Sequence, residues 1–448
     1  MFKSFLGGVH PNDGKQYSMD KAIETPPLPE QVVIPMSQHI GAPCTPTVKV
    51  GDHVKKGQLI GTSEAFMHAD IHSSISGDVV KIDMMPHSGR ITCQAVVIKS
   101  DGLDEWADGL PMNRDWQSME KQEILAAIKT AGIVGLGGAT FPAHIKLAPQ
   151  KPVDVLIING AECEPYLTAD YRLMLEESER LVTGVKILQK VLGVKTCFIG
   201  IEDNKPKAVE ALKKAFTGVD GVTVAGLQTK YPQGAEKMLI KVLTGREVPC
   251  GGLPMDVGAV VHNTGTAAAI ADAVEKGIPI VERITTISGD AIQEPKNLRL
   301  RIGTSYKEAI AFCGGFKGTP AKLIAGGPMM GMAQFTADVP IMKGSSGILA
   351  LTAETVASGD ESPCIRCGRC VDACPMGLIP SMLSILSERH DYVTAKNEYG
   401  LFNCVECGCC TFTCPAKRNI VQYIKHAKAE NNAITAKEKA KQAANAKK

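Results

Sequence analysis

The chain has 448 residues, a length that predicts about two to four domains. Hydrophobic residues make up 44%, charged residues 21%, and the formal net charge is +2, so no global field points to nucleic acid as a partner. No apolar run reaches about 18 residues and no signal-peptide core is present, which predicts a cytoplasmic protein with at most peripheral membrane association.

Residues 1–116 predict an N-terminal segment followed by a β barrel-sandwich hybrid. The stretches VKVGDHVKKGQLIGTSEAF and ISGDVVKI alternate apolar and polar residues and break at Gly-Asp turns. The pattern resembles biotinyl- and lipoyl-type domains, in which a lysine at a hairpin tip carries the cofactor. Here the tip offers Met67 and His68 instead, so we expect a structural role for this domain.

Residues 117–282 predict an α/β domain with a parallel sheet. A helical pattern in SMEKQEILAAIKTAG precedes the continuous apolar run VDVLIING at 153–160, which is typical of a buried parallel strand. Strand, polar loop and helix recur in TCFIGIEDNKPKAVEALKKAF and in VTVAGLQTKYPQGAEKMLIKVL. Because ligands bind at the carboxyl ends of parallel strands, we expect the loops after these strands to share one binding edge.

The rest of the chain divides into four predicted segments, which makes the whole a multidomain α/β protein. Residues 283–335 alternate strand-like and helix-like stretches and predict a small β-grasp (SLBB-like) domain. Residues 336–360 are predicted to be a linker, because their second half is polar. Residues 361–425 contain most of the cysteines and predict a ferredoxin-like α domain. Residues 426–448 are rich in Ala and Lys and predict a frayed basic helix or a disordered tail, either inert or in contact with anionic lipid or a partner.

Nine of the fifteen cysteines lie between 364 and 414, in two runs that both fit C-x2-C-x2-C-x3-C-P. This is the spacing of bacterial two-cluster ferredoxins, in which the fourth cysteine of each run ligates the other cluster. Structural zinc sites, the alternative, usually use two separated C-x2-C pairs. Cys409 falls out of register and is not predicted as a ligand. The crossed pattern predicts two [4Fe-4S] clusters, held by set A (Cys364, Cys367, Cys370 and Cys414) and set B (Cys404, Cys407, Cys410 and Cys374).

The glycine-rich stretch GLGGATFPAHIKL at 135–147 is a candidate phosphate-binding loop. Its glycines let the backbone approach a phosphate and direct N–H groups at it, Lys146 adds positive charge, and Phe141 offers a flat face for a ring. No strand immediately precedes the loop, so it is not the G-x-G-x-x-G fingerprint. A plain turn is the alternative interpretation of this stretch.

Three polar loops follow the predicted strands. NGAECEP at 159–165 offers Asn159 to a flavin, and we expect Glu162 and Glu164 to face the same side of an extended loop and accept hydrogen bonds from a nicotinamide amide or ribose hydroxyls. A pair of solvated acids before a proline is the alternative. TKYPQGAE at 229–236 and HNTGT at 262–266 add further polar groups, although each taken alone is typical of an ordinary turn or cap.

Taken together, these motifs resemble the C subunits of Rnf complexes, which are membrane-bound ferredoxin:NAD+ oxidoreductases. The resemblance covers nearly the full length. It rests on the two cysteine runs and on GGVHP, VIPMSQHIGAP, GLGGATFPAHIKL, IINGAECEPYLTADYRLM, GIEDNKP, TKYPQGAEK and NTGTA. That family is in turn similar to the flavin- and NADH-binding subunit of respiratory complex I. The resemblance implies non-covalent FMN, NAD(H) stacked on it, and electrons that pass through iron–sulfur clusters.

The resemblance also implies roles for individual residues, carried over by motif position. The glycine-rich loop and its lysine fall on Gly135, Gly137, Gly138 and Lys146. The aromatic residue that sandwiches the nicotinamide ring falls on Phe141. The Asn-x-x-Glu-x-Glu-Pro loop falls on Asn159, Glu162 and Glu164. The Tyr-x-x-Gly-x-Glu segment falls on Tyr231, Gly234 and Glu236. The Asn-x-x-Thr that holds the flavin phosphate falls on Asn263 and Thr266.

The chain departs from the complex I protein at three positions of these loops. Ala161 stands where that protein has Asp, Ala235 where it has an acid, and His262 where it has Asn. These changes bear on the nucleotide contacts more than on the flavin. The iron–sulfur domain also differs, because complex I has one four-cysteine site there and this chain has two.

The resemblance therefore implies a peripheral subunit on the cytoplasmic face of a prokaryotic cell membrane. Its expected partners are NAD(H), an iron–sulfur subunit, integral-membrane subunits that move Na+ or H+, and, indirectly, ferredoxin. We expect electrons to flow from ferredoxin through the clusters and FMN to NAD+. Two rival functions are a cobalamin reductase of the propanediol-utilisation type and an electron-relay subunit that has clusters but a degenerate flavin site.

Overall fold

The computed structural model describes residues 4–356 and 359–445, and side chains as far as residue 442. Over these residues, none of the helices combines the length and the apolar character that a membrane span requires.

The N-terminal domain consists of two small antiparallel sheets, which agrees with the predicted barrel-sandwich hybrid. One sheet has the strand order β2-β8-β7-β4 and the other β3-β5-β6. Alternate residues of these strands are buried and join one hydrophobic cluster. The strands are β2 (Gln31–Pro35), β3 (Thr45–Pro46), β4 (His53–Val54), β5 (Leu59–Thr62), β6 (Ile71–His72), β7 (Gly77–His87) and β8 (Arg90–Ser100).

The segment before this domain belongs to other parts of the molecule. A 3-10 helix at Lys15–Tyr17 lies against the α/β domain, and β1 (Ile23–Glu24) pairs in parallel with a strand of the β-grasp sheet, Ile23 opposite Asn297. The end of the predicted N-terminal segment therefore pairs with another domain, and short-range patterns carry no information on such a distant strand partner.

The central domain is the predicted α/β domain with a wholly parallel sheet, in the order β11-β10-β9-β12. Its strands are β9 (Val155–Asn159), β10 (Thr196–Glu202), β11 (Val222–Leu227) and β12 (Ala259–Asn263). Its helices are α1 (Lys121–Thr130), α2 (Ala143–Lys146), α3 (Ala169–Glu176), α4 (Ser178–Leu192), α5 (Pro206–Ala215), α6 (Glu236–Thr244) and α7 (Thr264–Glu275), with a 3-10 helix at Pro254–Val257.

The strand register brings the polar loops to one edge, as expected. Asn159 at the end of β9 lies opposite Asn263 of β12 on one side and Gly200 of β10 on the other. The loops that follow all four strands therefore start at one end of the sheet.

The β-grasp domain is a six-stranded sheet in the order β1-β14-β13-β17-β15-β16. Its elements are β13 (Glu282–Ser288), β14 (Lys296–Arg301), α8 (Tyr306–Phe312), β15 (Lys322–Ala325), β16 (Met332–Gln334) and β17 (Gly347–Leu351).

The prediction of a linker over 336–360 is wrong for its first part. Strand β17 lies inside the sheet, parallel to β13 and antiparallel to β15, and all five of its residues are buried. A continuous apolar run this short fits a strand buried on both faces, but the Gly- and Ser-rich residues before it resemble a linker.

The C-terminal domain is helical and repeats its backbone at an interval that matches the two cysteine runs. Its elements are α9 (Arg369–Asp372), α10 (Pro380–Glu388), α11 (Tyr392–Asn397), a 3-10 helix at Leu401–Asn403, α12 (Cys409–Phe412) and α13 (Ile420–Asn445). Arg366 and Glu406, in equivalent places of the two runs, both have positive φ, and so do Gly368 and Gly408. The two runs therefore fold as copies of one loop.

The predicted boundary between this domain and a tail at 425/426 is also wrong. Helix α13 continues without a break through Asn445, and Ala427 and Asn431 on it are buried against the domain. Of the two predicted states of the tail, the helical one is found as far as residue 445; residues 446–448 lie outside the described residues.

Helices α4 and α7 approach so closely at Gly184 that a Cβ there would lie 1.9 Å from the Ala267 carbonyl oxygen. We predict that Gly184→Ala forces the helices apart and lowers the free energy of unfolding by about 1–3 kcal/mol. Thermal denaturation followed by circular dichroism measures this loss. The control is Lys186→Ala on the exposed face of α4, which should stay within about 0.5 kcal/mol of the parent. Equal stability of the two variants would contradict the close approach.

Candidate functional site

The glycine-rich loop lies over the start of helix α7. Gly135 N–H donates to the Phe141 carbonyl (2.9 Å), and Leu136 N–H donates to Thr266 Oγ1 (2.8 Å). The N–H groups at 137–139 have no hydrogen-bond acceptor among the described residues. Free N–H groups beside the positive end of a helix dipole are the donors that a phosphate needs.

Asn263 caps helix α7 with its side chain. Its Oδ1 accepts from the N–H groups of Gly265 (2.9 Å) and Thr266 (3.3 Å), and its Nδ2 donates to Asp170 Oδ2 (2.6 Å). A Cβ added at Gly137 would lie 3.3 Å from Asn263 Cβ, so Gly137 lets the loop approach this cap. The side chains predicted to hold the flavin phosphate thus bind protein groups and shape the loop. Their contact with phosphate stays a prediction.

Two other predicted residues form an ion pair at the same place. Lys146 Nζ lies 2.5 Å from Glu236 Oε1, and both side chains are partly exposed. A phosphate on the glycine-rich loop would therefore share Lys146 with Glu236. Phe141 is half-buried and packs into none of the hydrophobic clusters among the described residues, which leaves its ring available for a ligand.

Asn159 ties two binding loops together. Its Nδ2 donates to the Gly234 carbonyl (2.8 Å) and its Oδ1 accepts from the Ala161 N–H (3.2 Å). Gly234 N–H in turn lies 3.2 Å from Cys163 Sγ. The predicted residues Asn159 and Gly234 are therefore brought together directly.

The expectation that Glu162 and Glu164 face the same side of an extended loop is wrong. Glu162 has positive φ, and its carboxylate accepts from the N–H groups of Asp170 (2.7 Å) and Tyr171 (3.1 Å) at the start of helix α3. Glu164 instead accepts from the N–H groups of Met329 (3.1 Å) and Met330 (2.8 Å) in the β-grasp domain. Each carboxylate is oriented by the N–H groups that it accepts from, and the sequence spacing does not reveal which groups these are.

Burial governs the ionisation of both glutamates. Loss of water contact raises the pKa of Glu164 to about 7, although the N–H groups it accepts from lower it. The pKa of Glu162 is raised as well, mainly by burial, while the nearby Lys15 ammonium lowers it. Neither residue is the solvated acid of the alternative interpretation.

Sequence reasoning missed two buried lysines beneath this loop. Lys205 Nζ donates to the Ala161 carbonyl (2.7 Å) and to Glu202 Oε2 (3.1 Å). Lys15 Nζ donates to three carbonyls of the same loop. Lys205 lies in the motif GIEDNKP, so the sequence contained a signal for this lysine. Lys15 lies outside the motif GGVHP, and no sequence pattern pointed to it.

The cysteines of set A, which come from both runs, line one cavity of about 410 Å³. The crossed pairing of Cys414 with the first run is therefore found in the fold. Among the described residues, no three His, Cys, Asp or Glu side chains lie close enough together to hold a single metal ion. Four cysteines around a larger cavity are the donor set of an iron–sulfur cluster.

The cysteines of set B also lie together. Burial raises the pKa of Cys410 to about 12, and the neighbouring thiols of Cys404, Cys407 and Cys374 raise it further. The crossed partner Cys374 is thus within electrostatic reach of the second run. Cys409, not predicted as a ligand, is fully buried beside Cys407, Val9 and Tyr231.

Cys407 of set B and its neighbour Cys409 pack with Tyr231 of the loop at 229–236. Tyr231 is buried, its hydroxyl is 3.5 Å from Glu164 Oε1, and its carbonyl is 3.8 Å from Cys409 Sγ. The negative charges of Glu164, Cys163 and Cys407 all raise the pKa of the Tyr231 hydroxyl, after burial, which is the main cause. Tyr231 thus contacts both the loop at 159–167 that contains Glu162 and Glu164, called here the acidic loop, and the second cysteine run.

Family models match each of these regions. The Nuo51 FMN-binding domain matches residues 128–272, and a 4Fe-4S dicluster domain matches residues 363–418. The RnfC barrel sandwich hybrid domain matches residues 3–103, and the SLBB domain matches residues 284–333. The fold and the site therefore define a flavin- and iron–sulfur-type electron-transfer protein.

Relatives of high identity match over nearly the same length. The C subunit of a proton-translocating ferredoxin:NAD(+) oxidoreductase complex from Clostridium ljungdahlii is 63% identical, over 98% of this chain and 97% of its own. The C subunit of a Na(+)-translocating ferredoxin:NAD(+) oxidoreductase complex from Acetobacterium woodii is 47% identical, over 95% of this chain and 97% of its own. The chain belongs to the family of Rnf complex C subunits.

One solved structure shows a more distant likeness. An NAD+-reducing [NiFe]-hydrogenase in the air-oxidized state covers 62% of this chain and 54% of its own, with a TM-score of 0.48 and 19% identity. Nothing about function follows from a likeness at this level.

The raised pKa of Glu164 predicts a pH-dependent stability. A carboxyl whose pKa rises from its ordinary 4.5 to about 7 on folding binds its proton more tightly in the folded protein. Its contribution to stability is therefore lost as the pH rises through this range. We predict that Glu164→Gln, which mimics the protonated acid, melts a few degrees higher than the parent at about pH 8 but not at about pH 5.

Thermal melts of the cofactor-free protein at intervals of pH measure this difference. The matched control is the exposed Glu210→Gln, for which the difference from the parent should not change with pH. A constant difference between Glu164→Gln and the parent across the whole range would show that Glu164 ionises equally easily in the folded and unfolded protein.

Proposed function

We propose that this chain is the NAD(H)-handling subunit of a membrane-bound ferredoxin:NAD+ oxidoreductase. In this proposal it contains non-covalent FMN and two [4Fe-4S] clusters and carries electrons between ferredoxin-side partners and NAD(H). The observation that carries the proposal is the position of Tyr231, which contacts the acidic loop of the flavin-type site and the second cysteine run at once.

The residues of the glycine-rich loop and of helix α7 fit the phosphate end of FMN. The free N–H groups at 137–139 supply donors, and Lys146 supplies positive charge. Thr264 Oγ1 and His262 Nε2 are buried there without a hydrogen-bond partner among the described residues, so both are free to bind a ligand. When bound, FMN supplies the exchange between the hydride of NAD(H) and the single electrons of iron–sulfur clusters.

The acidic loop fits the ring end of the site. Asn159 and the buried Lys205 hold it in place, and Glu162 and Glu164 are anchored to α3 and to the β-grasp domain. The half-buried Phe141 is left to pack against a nicotinamide ring. Ala161 and Ala235 supply none of the acids found there in complex I, so NAD(H) would rely on the remaining groups.

The two cysteine sets have different positions relative to this site. Set B packs on Tyr231, whereas set A opens to the surface, with Cys367 and Ile365 exposed. We infer that a cluster in set A exchanges electrons with the partner protein and a cluster in set B exchanges them with the flavin. The partner would be an iron–sulfur subunit that receives electrons from ferredoxin.

The relatives' names support the setting of the proposal. They describe complexes that translocate protons or Na(+), so the chain would work as a peripheral subunit on the cytoplasmic face of a prokaryotic membrane, with integral-membrane subunits moving Na+ or H+. Nucleic acid has no part in it.

The proposal predicts the cofactor content of the pure protein. Purified without oxygen, the chain should contain about one FMN and about eight iron and eight sulfide, and NADH should bleach the flavin and cluster absorption. Eight iron without flavin and without bleaching would instead indicate a relay protein. Fast reduction of cob(III)alamin, with slow reduction of one-electron acceptors, would indicate a cobalamin reductase.

A pair of cysteine variants tests the order of the clusters. Cys414→Ser and Cys374→Ser should each lose about four iron, because each removes one ligand of one cluster. In Cys414→Ser the remaining cluster should still be reduced by NADH, since set B stays intact beside the flavin site. In Cys374→Ser the remaining cluster should be reduced at least tenfold more slowly. Rapid-mixing absorption and electron paramagnetic resonance spectra measure both.

Cys409→Ser is the matched control, because Cys409 lies in the same run but outside the ligand pattern. It should keep about eight iron and parental reduction by NADH. If NADH instead reduced the remaining cluster slowly in Cys414→Ser and fast in Cys374→Ser, set A would be the set next to the flavin.

A further inference from the structure

The ammonium of Lys15 lies at the centre of the acidic loop. Its Nζ donates to the carbonyls of Glu162 (2.9 Å), Glu164 (3.1 Å) and Leu167 (2.7 Å). The residue is 2% exposed, so these three bonds replace its entire hydration. Three carbonyls that converge on one buried cation fix the course of the loop more strongly than ordinary turn hydrogen bonds do.

The direction of these carbonyls has a consequence for the N–H groups. In a trans peptide the N–H points opposite to the C=O. The Ala161 carbonyl faces the Lys205 ammonium and the Glu162 carbonyl faces the Lys15 ammonium. The N–H groups of Glu162 and Cys163 therefore point away from both cations, and neither has an acceptor among the described residues.

The segment around Lys15 holds this lysine in place from both sides. The Asp13 carbonyl accepts from the Tyr166 N–H (2.6 Å), and the Tyr17 ring stacks on the Tyr166 ring at 5.8 Å. Ser18 Oγ lies 2.7 Å from Thr168 Oγ1. The segment thus crosses the acidic loop and places the Lys15 ammonium against the carbonyls of that loop.

We propose that Lys15 is a positioning residue of the cofactor site, which holds the acidic-loop carbonyls inward so that the N–H groups of Glu162 and Cys163 are presented as donors to a planar ring that carries amide carbonyls. The inference rests on the proposed function, since both the flavin and the nicotinamide have such carbonyls. Through the loop, Lys15 would then determine how tightly a ring is bound, although its own ammonium is buried against the loop carbonyls.

The test uses the full chain with Lys15→Met and Lys15→Gln. FMN affinity is measured by fluorescence quenching on reconstitution of flavin-free protein, and NADH half-saturation by bleaching of the reconstituted protein. Lys15→Met should weaken the binding of either FMN or NADH at least tenfold, because the loop carbonyls lose their donor and the loop can change its conformation. The ligand whose binding weakens is the one whose ring accepts from the N–H groups of Glu162 and Cys163. Lys15→Gln, which keeps two N–H donors, should lie between Lys15→Met and the parent.

Two control variants separate positioning from general stability. Lys21→Met removes a lysine of the same segment whose Nζ donates to the Pro295 carbonyl (2.8 Å) and not to the acidic loop. Ser74→Ala removes a buried hydrogen bond from the barrel-sandwich domain to the Ile302 carbonyl and leaves the segment around Lys15 intact. Both should keep parental FMN affinity and NADH half-saturation, even where the melting temperature falls.

Folded Lys15 variants with parental values for both ligands would overturn the positioning role. So would an equal loss in Ser74→Ala, or failure of both Lys15 variants to fold while Ser74→Ala folds, because Lys15 would then act on stability alone. These results differ from a failure of the proposed function, in which the parent protein itself would bind no FMN.

Discussion

The alignment of strand ends in the parallel sheet is the constraint on which the rest of the molecule depends. Asn159 and Asn263 end their strands at one level, beside Gly200 of the neighbouring strand, so the loops that follow must share a single edge. The β-grasp domain, the cysteine-rich domain and the N-terminal segment then contact that edge. The β-grasp domain holds Glu164, the cysteine-rich domain packs on Tyr231, and the N-terminal segment reaches the acidic loop. The site is therefore built by several domains and belongs to none of them alone.

The sequence predicted most of the fold where patterns are local. Alternation revealed the barrel-sandwich domain, continuous apolar runs revealed the parallel strands, and the cysteine spacing revealed the helical domain. It failed at β1 and β17, whose pairing partners are distant in sequence. It also ended the last domain too early, because an Ala- and Lys-rich stretch is typical of a solvated tail until Ala427 and Asn431 are seen packed.

Prediction of the site followed the same division. Cysteine spacing predicted that Cys414 joins the first run, and the structure brings it to one cavity with Cys364, Cys367 and Cys370. Resemblance predicted the loops of the candidate site, and the structure brings Asn159 together with Gly234 and Lys146 together with Glu236. The orientation of Glu162 and Glu164 was wrong, because it depends on free N–H donors of a helix and of another domain. Lys15 carried no local signal, since its partners are carbonyls that any residue possesses.

The early position of β1 in the chain matters for how the protein is made. Residues 23 and 24 leave the ribosome long before residues 297 and 298, with which they pair. The N-terminal segment must therefore wait, unpaired, while the barrel and the α/β domain are synthesised. Glu164 likewise meets its N–H donors at Met329 and Met330 only after the β-grasp domain is made, so completion of this edge is a late folding event.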